Sequence, residues 1–129
     1  MARRILTAVA LVAAALSAGC SQPLEVQTLQ LGRALNADNS VSDPTTTFQP
    51  NETVYVSALN PARGEGTIRV RWYHGTQLLS EREKRVSFKG AGATEFNLQT
   101  AAGFPPGEYS VEVDVDGRSV GKRNFTVAK

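Results

Sequence analysis

The chain has 129 residues, with 14 basic and 12 acidic side chains, 41% hydrophobic residues and one cysteine, Cys20. A lone cysteine excludes an internal disulfide framework, and a lone histidine, His74, leaves little for imidazole-based metal or proton-transfer chemistry. Setting Arg3 and Arg4 apart from the fourteen basic residues leaves twelve against twelve acidic ones, all after Cys20, so the body of the chain is electrically balanced and points to no nucleic-acid partner.

In chain order, Arg3 and Arg4 form a basic start, residues 5–18 an apolar run, and Ser17, Ala18 and Gly19 a group of small side chains before Cys20. Fourteen apolar residues rise only about 21 Å as a helix, short of the roughly 30 Å needed to stay in a bilayer. This predicts a cleaved signal over 1–19, a tether over 20–23 and one domain over 24–129. Leu16-Ser17-Ala18-Gly19-Cys20 resembles the lipobox of bacterial lipoproteins, with Ser17 where that family usually carries an aliphatic residue. The resemblance implies cleavage between Gly19 and Cys20 and diacylglycerol on the Cys20 sulfur. It also implies membrane attachment in the cell envelope, with the domain outside the cytoplasm. Read from residues alone, an ordinary secretory signal stays open, and it would leave Cys20 as a free thiol.

After Cys20 the period changes to two, the strand signature. Strands are predicted over 24–33, 53–60, 67–74, 77–88, 93–99, 107–116 and 119–128. The sharpest run puts Tyr109, Val111, Val113 and Val115 on one face and Ser110, Glu112, Asp114 and Asp116 on the other. Ile68, Val70 and Trp72 oppose Arg69 and Arg71 in the same way. Trp72, Tyr109, Val111 and Val113 are therefore the expected core. Residues 81–85 have an i,i+4 charge pair but no apolar face, which predicts an exposed strand or strand edge rather than a helix. Asp116-Gly117 and His74-Gly75 supply turn chemistry, and residues 60–66 and 103–107 are read as a loop and a corner.

About seven short strands in roughly 100 residues predict an all-β fold, an Ig-like antiparallel β-sandwich. Trp72 on the third strand and Tyr109 opening the sixth, as a tyrosine corner would, support it. The ending, with Phe104-Pro105-Pro106-Gly107 leading into the valine strand and then Phe125-Thr126-Val127, resembles the closing hairpin of bacterial Ig-like and fibronectin-III-like accessory modules. That resemblance implies a fold and no activity.

No catalytic residue, metal ligand set or cofactor is assigned. His74 is expected to be a solvated turn residue. Glu112, Asp114 and Asp116 share a strand face, where facing Arg69 and Arg71 accounts for them better than a cation does. Residues 34–51 are expected to be a mobile surface loop pinned at its end by Phe48. Among nine aromatic residues, Tyr55, Tyr73 and Phe104 are expected to point outward. Two functions stay open: a non-catalytic envelope interaction module whose partner is a protein or polymer, and a small-ligand or carbohydrate-binding module.

Overall fold

The computed structural model describes residues 21–129. The signal over 1–19, Gly19 and Cys20 lie outside the described residues. Eight strands follow one another: β1 (Thr28–Gly32), β2 (Thr47–Phe48), β3 (Val54–Asn60), β4 (Gly64–His74), β5 (Gln77–Phe88), β6 (Gly92–Leu98), β7 (Gly107–Val115) and β8 (Arg118–Val127). They form a three-stranded sheet in the order β1-β3-β6 and a five-stranded sheet in the order β2-β8-β7-β4-β5. The described chain is an all-β sandwich.

Inward-facing residues of both sheets build one core. From the large sheet come Ile68, Val70, Trp72, Val111, Val113, Val115 and Phe125, and from the small sheet Leu31, Val54, Val56 and Phe96. Trp72, Val111 and Val113 are fully buried and Tyr109 is 3% exposed. Burying such aliphatic and aromatic side chains contributes roughly 1.5–3 kcal/mol each, and a single thiol-free core of this kind must supply the domain's stability.

Turn chemistry sets the register. Asp116 (φ 50°) and Gly117 (φ 85°) form the two-residue loop between β7 and β8, both in the left-handed region that a primed hairpin turn demands. The Asp116 carboxylate also accepts the Thr67 N–H at 2.9 Å, tying this turn to β4. Gly75 (φ 60°) opens the turn between β4 and β5.

Four sequence expectations are corrected. Residues 34–51 are not an open loop: they contain the bridge Leu35–Val41, and β2 pairs in parallel with β8 through Thr47–Thr126 and Phe48–Val127. Their compensation for low hydrophobicity is hydrogen bonding, including Asn36 N–H to Ser40 O and Ser57 hydroxyl to Asn39 O. β1 begins at Thr28, because the segment before it starts on the other sheet, where Pro23 bridges Glu65 and Leu24 is wholly buried. β4 begins at Gly64 rather than Thr67; a Cβ on Gly64 would lie 2.8 Å from the Leu24 Cα, so the glycine admits that segment. Phe104 faces inward, 4% exposed, against the edge of the Tyr109 ring.

Candidate functional site

A row of aromatics crosses the large sheet at the end of the sandwich that carries the β4–β5 turn. His74 lies opposite Tyr109, and Tyr109 opposite Phe125. The His74 and Tyr109 rings stack at 4.3 Å and 6°, and those of Tyr109 and Phe125 at 5.3 Å and 17°. The Tyr109 hydroxyl donates to the Pro105 carbonyl four residues upstream, closing the corner before β7. Burial of the phenol pushes its pKa up. His74 is thus a half-buried packing residue rather than a solvated turn residue. Among the described residues it makes no hydrogen bond to a serine or a carboxylate.

The outer face of the large sheet is a lattice of alternating charge. Glu81, Arg71, Glu112 and Lys122 lie opposite one another across β5, β4, β7 and β8, and Glu83, Arg69 and Asp114 form the next row. Arg71 Nη2 donates to Asp114 Oδ2 at 2.7 Å, with Glu112 Oε1 3.8 Å from its Nε. That bond to Asp114 raises the Arg71 pKa. Arg69 turns the other way, to Glu83 at 3.0 Å and Glu81 at 3.7 Å. The carboxylates of β7 and β5 are therefore shared out among two arginines. Among the described residues no three histidine, cysteine, aspartate or glutamate side chains converge as a metal-binding group.

Beside this lattice lies the least covered of the described strands. β5 is 12 residues long, none of them buried, and pairs only with β4 among the described strands. Its outer edge is therefore open. Among the described residues, Leu78 and Leu79, 49% and 41% exposed, are the large hydrophobic side chains that stand out on the surface. Further along, the inward-facing residues are charged: Arg82 and Lys84 sit opposite Val70 and Ile68. Lys84 reaches across the gap to the small sheet, where its ammonium lies 4.8 Å from the Phe96 ring centroid and bonds the Glu95 carbonyl and carboxylate. Inward-pointing charges on an edge discourage indiscriminate strand pairing. A shallow cleft of about 350 Å³ remains between β5 and β6, lined by Arg82, Lys84, Glu95 and Phe96 among others.

The remaining aromatics form no platform. Tyr55 lies on the outer face of the small sheet and Tyr73 on that of the large sheet, each partly covered, while Phe104 is in the core. β5 does lie at an edge, one of the two places that the missing apolar face of residues 81–85 allows, whereas Leu78 and Leu79 carry no signal of their own in the sequence.

Solved structures with the same architecture settle its class. An immunoglobulin-like protein from Pseudomonas aeruginosa superposes with a TM-score of 0.57 at 12% identity, covering 84% of this chain and 99% of that one. The fold is immunoglobulin-like. A cycloisomaltooligosaccharide glucanotransferase from Paenibacillus, solved with cycloisomaltoheptaose, matches with a TM-score of 0.59 at 15% identity. A Pseudomonas fluorescens alkylpurine DNA glycosylase bound to DNA matches with a TM-score of 0.56 at 14% identity. This chain is 84% covered in both cases but spans only 14% and 31% of those two proteins. No family model and no curated protein matches the sequence.

Proposed function

We propose that this protein is a non-catalytic interaction module of the bacterial cell envelope, held on the membrane by diacylglycerol on Cys20, that binds a partner through the free edge of β5. The observation that carries the reading is the edge itself: a long strand without a buried residue, open along one side, with two neighbouring exposed leucines. Backbone groups on such an edge offer a partner strand a ready ladder, and side chains on the two faces supply selectivity. The immunoglobulin-like fold is compatible with an accessory or binding role.

The charge order on β5 disfavours two of the self-pairings this edge could make. Two copies related by a two-fold axis across this edge would oppose residues from the same face. Centred on Arg82, that sets Arg82 against itself and Glu81 against Glu83; centred on Glu83, it sets Glu83 against itself and Arg82 against Lys84. Like charges directly opposite are destabilising. The alternative, a carbohydrate-binding module, has less support, since Tyr55 and Tyr73 lie on opposite faces of the molecule.

The test is photocrosslinking in a bacterial host. A photoreactive residue at Leu79 is expected to give a discrete adduct in the membrane fraction, and one at Asn124 on β8 none. Intact mass should show diacylglycerol on Cys20, and Cys20→Ala should leave the uncleaved precursor. Equal, diffuse labelling from both positions would overturn the edge as the binding site, and an unmodified Cys20 thiol would overturn the anchor.

A further inference from the structure

We propose that the sandwich stands on end against the bilayer, with the loop tips carrying Arg63 and Lys89 resting on anionic lipid headgroups and Arg118 set back behind them. This rests on the lipid-anchor reading of Cys20. It adds to that reading an interaction surface and the chemistry of what it meets.

The first argument is the absence of slack after the anchor. Gln22 O accepts the Glu65 N–H at 2.9 Å, and the Leu24 N–H donates to Glu65 O at 2.9 Å, so the chain is stitched to β4 within two residues of Cys20. The Ser21 hydroxyl adds a 2.6 Å bond to Glu65 Oε2. Leu24 is wholly buried, and Gly64 is the residue that lets it approach. Consecutive Cα atoms are about 3.8 Å apart. An acylated Cys20 therefore brings Ser21 and its neighbours to the headgroup layer instead of suspending the domain on a flexible linker.

The second argument is direction. The Pro23–Glu65 bridge is parallel, so going backward from Pro23 runs toward Arg63 and the β3–β4 loop. Ser21, Gln22, Arg63 and Lys89 line one shallow cleft of about 340 Å³ at this end. The β7–β8 turn follows next above, at the level of Thr67 and Ile68, since Val115 pairs with Ile68 and Arg118, and Asp116 binds the Thr67 N–H; Arg118 is thus set back from Arg63 by five residues of strand, about 16 Å. The eleven residues of β4 then run away from the membrane, so the aromatic row and the β4–β5 turn stand about 35 Å higher.

The third argument is charge. Arg63, Lys89 and Arg118 are exposed, and none forms an ion pair among the described residues. Of the carboxylates at the same end, Glu65 is held by Arg85 and Ser21, and Asp116 by the Thr67 N–H. Glu25 is exposed on the segment that crosses between the sheets. The tips thus present unpaired cations, while of the four nearby acids Glu65 and Asp116 are engaged internally and Glu25 and Asp38 are exposed, Asp38 bonding Ser40 beside Asn60 and Pro61. Juxtamembrane lysines and arginines are attracted to anionic lipid, and the attraction fades within a Debye length.

The experiment is amine footprinting with a water-soluble acylating reagent on the full chain as processed by a bacterial host, reconstituted into phosphatidylcholine vesicles containing phosphatidylglycerol. If its mass shows a free Cys20 thiol, the anchor reading fails. The same protein is then coupled through that thiol to a maleimide phospholipid, so that the orientation is still judged. Lys89 is expected to react several-fold more slowly on vesicles than in detergent, Lys122 at mid-height less so, and Lys129 at the far end equally fast in both. Arg63→Glu with Arg118→Glu, or vesicles of phosphatidylcholine alone, should return much of the Lys89 reactivity. Protection of Lys129 equal to that of Lys89, or Lys89 protection indifferent to both the substitutions and the lipid charge, would overturn the proposal.

Discussion

β7 and β5 belong to the same sheet, each flanking β4, yet they are opposites. Six of the nine residues of β7 are buried, and none of the twelve of β5. β7 has strand neighbours on both sides and the small sheet across from its inner face. β5 has one neighbour, and its inner face is capped by Lys84 and Arg82 rather than by a continuous apolar row. The difference shows where this domain keeps its stability and where it has surface to give away. It predicts a gradient of mutational effects running outward from the β4–β7 pair to the free edge.

The largest effect belongs to Trp72, which sits on β4 opposite Val111 of β7 and edge-on to Phe125 at 6.1 Å. Trp72→Ala should cost about 3–5 kcal/mol, a large share of the roughly 5–15 kcal/mol that holds a domain together, and be read as a collapse of the denaturation midpoint. Its indole N–H has no hydrogen-bond partner among the described residues. Trp72→Phe should therefore be far milder, because it removes an unpaired buried donor along with part of the ring.

The next test divides the charge lattice. Arg71 bonds Asp114 of β7 at 2.7 Å and reaches Glu81 of β5 only at 3.7 Å, whereas Arg69 pairs only with β5, through side chains 24% and 47% exposed. Arg71→Ala leaves Asp114, buried to 9% exposure, without its closest partner; a loss of about 1–3 kcal/mol is expected. Arg69→Ala breaks pairs that solvent screens and should cost about 0–1 kcal/mol. Equal midpoints for the two variants in urea would mean that the lattice is uniform and the gradient false.

Tyr109 tests the corner. Tyr109→Phe removes the bond to the Pro105 carbonyl and should cost about 1 kcal/mol. Because burial raises the phenol's pKa, the folded state holds that proton more tightly than the unfolded chain does. The contribution is intact below about pH 10, and it is lost as pH rises through the elevated value. Stability measured across alkaline pH should fall less steeply in the Phe variant.

Much of this arrangement was legible because period-two alternation and paired turn residues are local signals. The β7–β8 hairpin, with Asp116-Gly117 at its tip, needs nothing beyond its own sequence. β2 was illegible, since two residues pairing in parallel with a strand some eighty positions away leave no periodic trace. Gly64 and Gly66 read as loop residues for the same reason. Their place in β4 follows from what packs on them, Leu24 and the Asp116 carboxylate, neither of which a local window can see. For β5, the lack of an apolar face over 81–85 reads as an exposed strand or strand edge, but that it pairs with β4 and leaves its other side open is a property of the whole topology.

The smallest stability effect is expected where the binding effect is largest. Leu78→Lys combined with Leu79→Glu replaces two half-exposed leucines at the start of β5 with solvated charges. Surface changes away from caps and packed contacts usually stay within about 0.5 kcal/mol, so the urea midpoint should match that of the unaltered protein. The membrane-fraction adduct from a photoreactive residue at Ser80 should nevertheless disappear, because a strand added to this edge must pack beside those two positions. A variant that unfolds would show that the leucines belong to the core, and one that keeps both its midpoint and its adduct would show that the partner binds elsewhere. Only a stable domain with a lost adduct fits an edge whose apolar surface contributes to recognition rather than to folding.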